Sequence, residues 1–222
     1  MSYANGPKIV TDGLALYLDA GNSKSYPGSG NVWYDLSANN NNGTLTNGAV
    51  YDTEGGGSIY FDKVNDKVVS TNSSSVQITT GTIGAFFKAT NQNTGVHGII
   101  AKQSAWGLFV WGNILRTYSW GTPAVRSTSY TVGDNKWHYA AMTFTETIGN
   151  PSNNAIIYLD GNAILTTTIK HSNHNVTVQV GEANANQFFG GNIAQASVYN
   201  KVLTHDEIQQ NYNALKGRFG LS

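Results

Sequence analysis

The run DNKWHYAAMTFTETIGNPSNNAIIYLDGNAILTTTI, residues 134–169, together with FFGGNIAQASVYN, residues 188–200, decides the fold. Lys136–Thr145 reads as one unbroken strand. Trp137, Tyr139 and Ala141 point to one side of it; His138, Ala140, Met142 and Phe144 point to the other. Neither set is clearly polar, and such a strand belongs in the middle of a sheet covered on both sides. Ile156–Leu159 and Ala163–Ile169 flank Asp160-Gly161-Asn162. Asp-Gly reaches positive φ at little steric cost, so this spacing predicts a hairpin tip. Phe188–Ala194 then leads into a further apolar stretch, Ser197-Val198-Tyr199.

Composition narrows the function classes. The 222 residues are 40% hydrophobic and 11% aromatic, enough for the substantial core of one large β domain. The formal net charge is zero and only 12% of residues are charged, about half the usual ~25%. A basic footprint for nucleic acid is therefore absent, as is a polybasic patch for a membrane surface. There are no cysteines, which excludes disulfides and thiolate metal sites. The N-terminus lacks the basic-then-apolar pattern of a signal peptide, and no window approaches a membrane span.

Outward from the deciding stretch, residues 1–12 read as an N-terminal arm, loose over 1–8 where Gly6-Pro7 interrupts regular structure. Residues 13–222 read as one domain. Leu14, Leu16 and Leu18 alternate in a first strand. Trp33–Gly48, WYDLSANNNNGTLTNG, reads as a long ordered loop whose Asn side chains bond their own backbone. Strands follow at Ser58–Phe61 and Lys67–Val69, with a strand pair around Gly81 within Val76–Lys88. More follow at Gly98–Lys102, Gly107–Trp111, Ile114–Trp120 and Ser127–Val132. About a dozen strands at spacings of roughly ten residues predict a sandwich or barrel. One helix is predicted near 205–216. Thr204 and Glu207 form a capping box, Leu203 and Ile208 a hydrophobic staple, and Ile208, Tyr212 and Leu215 an apolar stripe. Gly217 stands where a C-terminal cap belongs.

Taken in order, DLSANNNNGTL, SIYFDKVNDKV, NKWHYAAMTF, AIIYLDGNAI and FFGGNIAQASVYNKVLTHDEIQQNY resemble a laminin-G-like jelly-roll domain of the concanavalin A-like lectin/glucanase superfamily, over about residues 12–215. The resemblance implies an all-β fold, a two-sheet antiparallel jelly-roll sandwich with one short C-terminal helix. The turn after Phe61-Asp62 departs from the pattern, with Lys63 where the family has Gly, which predicts an altered loop. The opening LYLDAGNSKSYPGSGNVWYDLSANNNNGTL, residues 16–45, is also similar to copies in virion structural proteins of tailed phages. That likeness implies a non-catalytic binding or assembly module, a head decoration or tail component made in the host cytoplasm without a signal peptide. Its expected partners are virion proteins or cell-surface glycans, with self-association through the arm or the Asn-rich loop. The alternatives are a stand-alone extracellular lectin and, further off, a glycoside hydrolase.

The residues bear on these expectations as follows. Retaining glucanases of this fold carry Glu-x-Asp-x-Glu on one strand, which sets carboxylates on one face about 5 Å apart. No such triplet occurs, and Glu54, Glu146, Glu182 and Glu207 are isolated. No Gly-x-Ser-x-Gly elbow is present. Calcium takes carboxylate, amide and carbonyl oxygens, and Asp62, Asn65 and Asp66 are its candidates, set against the reading that they cap their own turn. For a glycan, Trp106, Arg116, Tyr118 and Trp120 crowd into fifteen residues. Arg116, Tyr118 and Trp120 share a strand face, while Trp111 and Trp137 are expected inside.

Overall fold

The computed structural model describes residues 8–120, 124–146, 152–171, 174–183 and 186–222. In chain order the strands are β1 (Leu14–Asp19), β2 (Val32–Trp33), β3 (Gly43–Thr46), β4 (Val50–Asp52), β5 (Ser58–Asp62), β6 (Lys67–Ser70), β7 (Gly81–Ala89) and β8 (Val96–Lys102). They continue as β9 (Trp106–Trp111), β10 (Ile114–Ser119), β11 (Ala124–Thr131), β12 (Trp137–Phe144), β13 (Ala155–Leu159), β14 (Asn162–Thr167), β15 (Val178–Val180) and β16 (Gly190–Tyr199). One α-helix among the described residues, α1 (His205–Leu215), follows.

Two antiparallel sheets form a sandwich. The first runs β14-β13-β12-β7-β16-β5-β4, with β1 continuing beside β16 where β5 leaves off. The second runs β11-β10-β9-β8-β15-β6-β3-β2. The jelly-roll expectation holds. The alternation in β12 is realised on both faces: Ala140, Met142 and Phe144 enter the core between the sheets, and Trp137, Tyr139 and Ala141 enter a second cluster on the outer face. The hairpin tip is also where the sequence places it, with Asp160 and Gly161 at φ of 48° and 81°.

Helix α1 closes that outer face. The Thr204 hydroxyl accepts the Glu207 N–H and the Glu207 carboxylate accepts the Thr204 N–H, a complete capping box. Ile208 and Tyr212 press onto Phe86 and Tyr139, and the Phe86 ring stacks 4.6 Å from Tyr139 and 4.7 Å from Phe219. Each such ring contributes about 1.5–3 kcal/mol by burial. Gly217 is not the helix stop: the chain tightens into a 3₁₀ turn over Lys216–Phe219, and Gly220 takes the left-handed conformation. The consequence for function is positional. The outer face of the first sheet is occupied by α1, and that of the second is not.

Two other readings are corrected. Val76–Lys88 holds one strand and not two: Ser74–Val76 is a 3₁₀ turn, and β7 starts at Gly81, where an added Cβ would lie 2.3 Å from the Tyr199 carbonyl oxygen. The Asn-rich segment is shorter than expected, since β2 and β3 take its ends. Its side chains serve a strand more than themselves: the Asn41 amide donates to the Ala15 carbonyl at 2.8 Å and Asn39 to the same oxygen at 3.3 Å. Beyond the stretch read as loose, Val10 is buried, its N–H donating to Asn211 and its carbonyl accepting from the Tyr199 hydroxyl. Residues 1–7 lie outside the described residues. Lys63 takes φ of 70°, the conformation a glycine adopts most easily there.

Candidate functional site

Strands β9 and β10 put alternate residues on opposite sides of the second sheet. In β9, Trp106, Leu108 and Val110 face the core, while Phe109 and Trp111 face outward. In β10, Leu115, Thr117 and Ser119 are buried, and Arg116 and Tyr118 point out, with Trp120 next on the same side. The register sets Arg116 directly beside Phe109 and Ile114 beside Trp111. A cleft of about 390 Å³ opens there, floored by Phe109, Trp111, Tyr118 and Trp120. Trp120 meets Phe109 edge-on at 5.9 Å and Tyr118 at 5.3 Å. The Arg116 guanidinium lies 5.2 Å from the Trp111 ring centre.

The far wall is Ala183 and Gln187, from the segment that crosses the sheet over β8. Gly98 admits that crossing: its N–H donates to the Gln187 carbonyl, and a Cβ there would lie 2.2 Å from the Glu182 carbonyl carbon. Val96 and Ser104 complete the rim. None of the described residues lining the cleft carries a carboxylate or an imidazole. Glu182, beside Ala183, is buried and its Oε2 sits 2.9 Å from the Lys67 Nζ. The lining therefore holds ring faces, an arginine, the Ser104, Thr117 and Tyr118 hydroxyls and an amide, and no described carboxylate or imidazole for general acid or base chemistry.

Of the sequence-predicted glycan residues, Arg116, Tyr118 and Trp120 come together in this cleft. Trp106 does not: it is wholly buried between the sheets. The signal was present, because Trp106 and Trp111 are an odd number of residues apart on one strand and must face opposite ways. Trp111, expected inside, is the outward member, half-buried and lining the cleft. Phe109, Gln187 and Ala183 were missed; the last two arrive from another segment, and no local pattern marks them.

The calcium candidates are placed as turn residues. Asp66 is buried and its Oδ2 accepts the Asp62 N–H at 2.9 Å, while Asp62 Oδ1 accepts the Val64 N–H. Asn65 offers its carbonyl to the Asn47 amide. Burial first, and then the adjacent Asp62 carboxylate, push the Asp66 carboxyl up. Among the described residues no group of three or more Asp, Glu or His could hold a metal ion. Each of the two carboxylates has one oxygen on a main-chain N–H group, the role of a turn cap, and Asp66 Oδ1 is buried without a hydrogen-bond partner.

His138 lies on β12 between two acids. Its Nδ1 is 3.0 Å from Asp160 and its Nε2 is 3.2 Å from Asp134. Burial lowers its pKa, but the hydrogen bond and charge of Asp160, with those of Asp134, outweigh that and leave it raised. The same Asp160 accepts the Tyr139 N–H at 2.8 Å, so the trio fastens the hairpin tip to β12.

A laminin G-like family model, described as the concanavalin A-like lectin/glucanases superfamily, matches residues 61–209. Comparison with curated proteins gives no match. Among solved structures, the binding domain of Paraclostridial Mosquitocidal Protein 1 superposes with a TM-score of 0.70 at 17% identity, over 90% of this chain and 52% of its own. The binding domain of botulinum neurotoxin DC, in complex with rat synaptotagmin II, gives 0.68 at 18%, over 93% and 52%. A structure of botulinum neurotoxin type C, which depends upon two ganglioside molecules to enter cells, gives 0.70 at 17%, also over 93% and 52%. The chain spans about half the length of these structures, and at this identity the likeness is one of fold.

Proposed function

The chain belongs to the concanavalin A-like lectin/glucanases superfamily, and on that premise we propose that it is a non-catalytic carbohydrate-recognition module working through the cleft on the outer face of its second sheet. One observation carries the reading: four aromatic side chains and one arginine converge there, with no carboxylate among the described lining residues. Flat rings pack against the C–H faces of a pyranose, while Arg116, Ser104 and Gln187 supply donors and acceptors for its polar groups. The volume falls within the ~300–1,000 Å³ of small-molecule sites, which pair apolar walls with a few convergent polar groups. A glycosidase needs two carboxylates flanking the scissile bond, and none is available in this lining. The toxin structures that share the fold, one of them of a neurotoxin whose cell entry depends upon two ganglioside molecules, support a recognition role by analogy of architecture. For the setting we infer a tailed-phage virion meeting host-surface carbohydrate, supported by the resemblance of residues 16–45; mass spectrometry of purified particles tests it.

The module itself is tested by a glycan array probed with purified folded protein, in calcium and again with chelator. Reproducible binding to one glycan class, equal in both conditions and lost in Trp120→Ala, is the expected result. A blank array from folded protein overturns the proposal.

A further inference from the structure

We propose that the cleft selects a sugar bearing a carboxylate, with Arg116 as the residue that reads it; this rests on the cleft being a glycan site. The chain has three arginines. Arg218 donates to Asp19 at 2.7 Å and to the Gly55 and Gly57 carbonyls. Arg126 donates to the Thr168 carbonyl at 2.8 Å. Of the three arginines, Arg116 alone has neither a hydrogen-bond acceptor nor an ion-pair partner among the described residues, and its Nε is buried without one. A buried donor left unpaired is costly, and an Arg with nothing to bind is expected to swing into water. Arg116 instead holds its guanidinium over Trp111, at the bottom of a cleft with no described acid in its lining. The nearest acid in sequence to that wall, Glu182, is already paired with Lys67.

The missing partner is therefore an anion that enters with the ligand. A guanidinium fork matches a carboxylate with two parallel hydrogen bonds. The rings of Tyr118 and Trp120 then take the pyranose that carries it. Sialic acids and hexuronic acids share this chemistry, and the two are separated by experiment.

The experiment measures binding of the full chain to 3′-sialyllactose, to an oligogalacturonide and to lactose by calorimetry. One acidic sugar is expected to bind about ten- to a hundred-fold more tightly than lactose, the range of a charge-assisted pair. Which acidic sugar it is identifies the source. Arg116→Gln is expected to bring the acidic sugar to within about two-fold of lactose. Arg116→Lys, which keeps the charge and loses the fork, is expected to fall between; it serves as the test if the Gln variant does not fold. Equal binding of acidic and neutral sugars overturns this inference and leaves the lectin reading standing, as does a preference that survives in Arg116→Gln. Failure of wild type to bind any of the three overturns the inference; a blank array as well removes the lectin reading.

Discussion

The Asp35 carboxylate accepts the main-chain N–H of Tyr17 at 2.8 Å. The same group takes the Ser37 N–H at 2.9 Å, the Ser37 hydroxyl at 2.7 Å and the Asn41 N–H at 2.8 Å. Strand β1 pairs β16 along one edge only, and the segment organised by Asp35 supplies partners along the other, including the Leu36 N–H to the Tyr17 carbonyl. An open edge with unmet main-chain groups is a site of misassociation, and here it is closed by side chains together with the Leu36 main-chain bond. Asp35→Ala is expected to destabilise the fold by about 2–4 kcal/mol, because hydrogen bonds to a charged acceptor contribute about 1.5–3 kcal/mol each before solvent takes their place. Urea denaturation of the two proteins measures this; a change under about 0.5 kcal/mol contradicts the bracing role.

Two tryptophans on neighbouring strands separate stability from binding. Trp106 is wholly buried, so Trp106→Ala is expected to cost about 3–5 kcal/mol. Trp120 is half-buried on the outer face, and Trp120→Ala is expected to abolish glycan binding at a cost of only about 1 kcal/mol in lost ring contacts. Thermal unfolding alongside calorimetric titration distinguishes the two. A large fall in melting temperature for Trp120→Ala shows that this ring is a packing residue.

Lys63 sits at φ of 70°, where an L-residue is disfavoured by about 1–2 kcal/mol. Glycine avoids that strain but loses about 0.5–1 kcal/mol of unfolded-state entropy. Lys63→Gly is therefore expected to stabilise by about 0.5–1 kcal/mol, after the exposed bond from its Nζ to the Asn91 carbonyl is lost. A denaturation midpoint that does not rise counts against the strain.

His138, with its pKa raised by Asp160 and Asp134, binds its proton more tightly folded than unfolded. Its contribution is fully present below the unfolded value, about 6.5, and is lost as pH rises through the folded one. The stability gap between wild type and His138→Gln is therefore expected to be larger at pH 5.5 than at pH 9, by about 0.5–1 kcal/mol. A gap that is constant with pH, followed by urea melts at both values, removes the pairing as a source of stability.

Much of the site was legible in order but not in depth. The face shared by Arg116, Tyr118 and Trp120 follows from a period of two, and so does the separation of Trp106 from Trp111. What no local pattern shows is the wall, because Ala183 and Gln187 reach the cleft only when their segment crosses Gly98. The readings of Asp62 and Asp66 differ for a related reason. Their spacing suits either a cation or a turn, and the amides that occupy them become known only with the backbone folded.

By itself the sequence determined most of the longer strands, their alternation, the Asp160-Gly161 tip and the capped helix, since each rests on contacts between residues close in the chain. It also determined that β12 would be covered on both faces. Only the tertiary structure decided which layer covers which face. Helix α1 folds over the first sheet through Phe86, Tyr139 and Tyr212, so the second sheet keeps its aromatic face open and Arg116 lies there without an acceptor among the described residues. Those outcomes depend on pairings between distant segments, which hydrophobic period and turn chemistry leave undetermined.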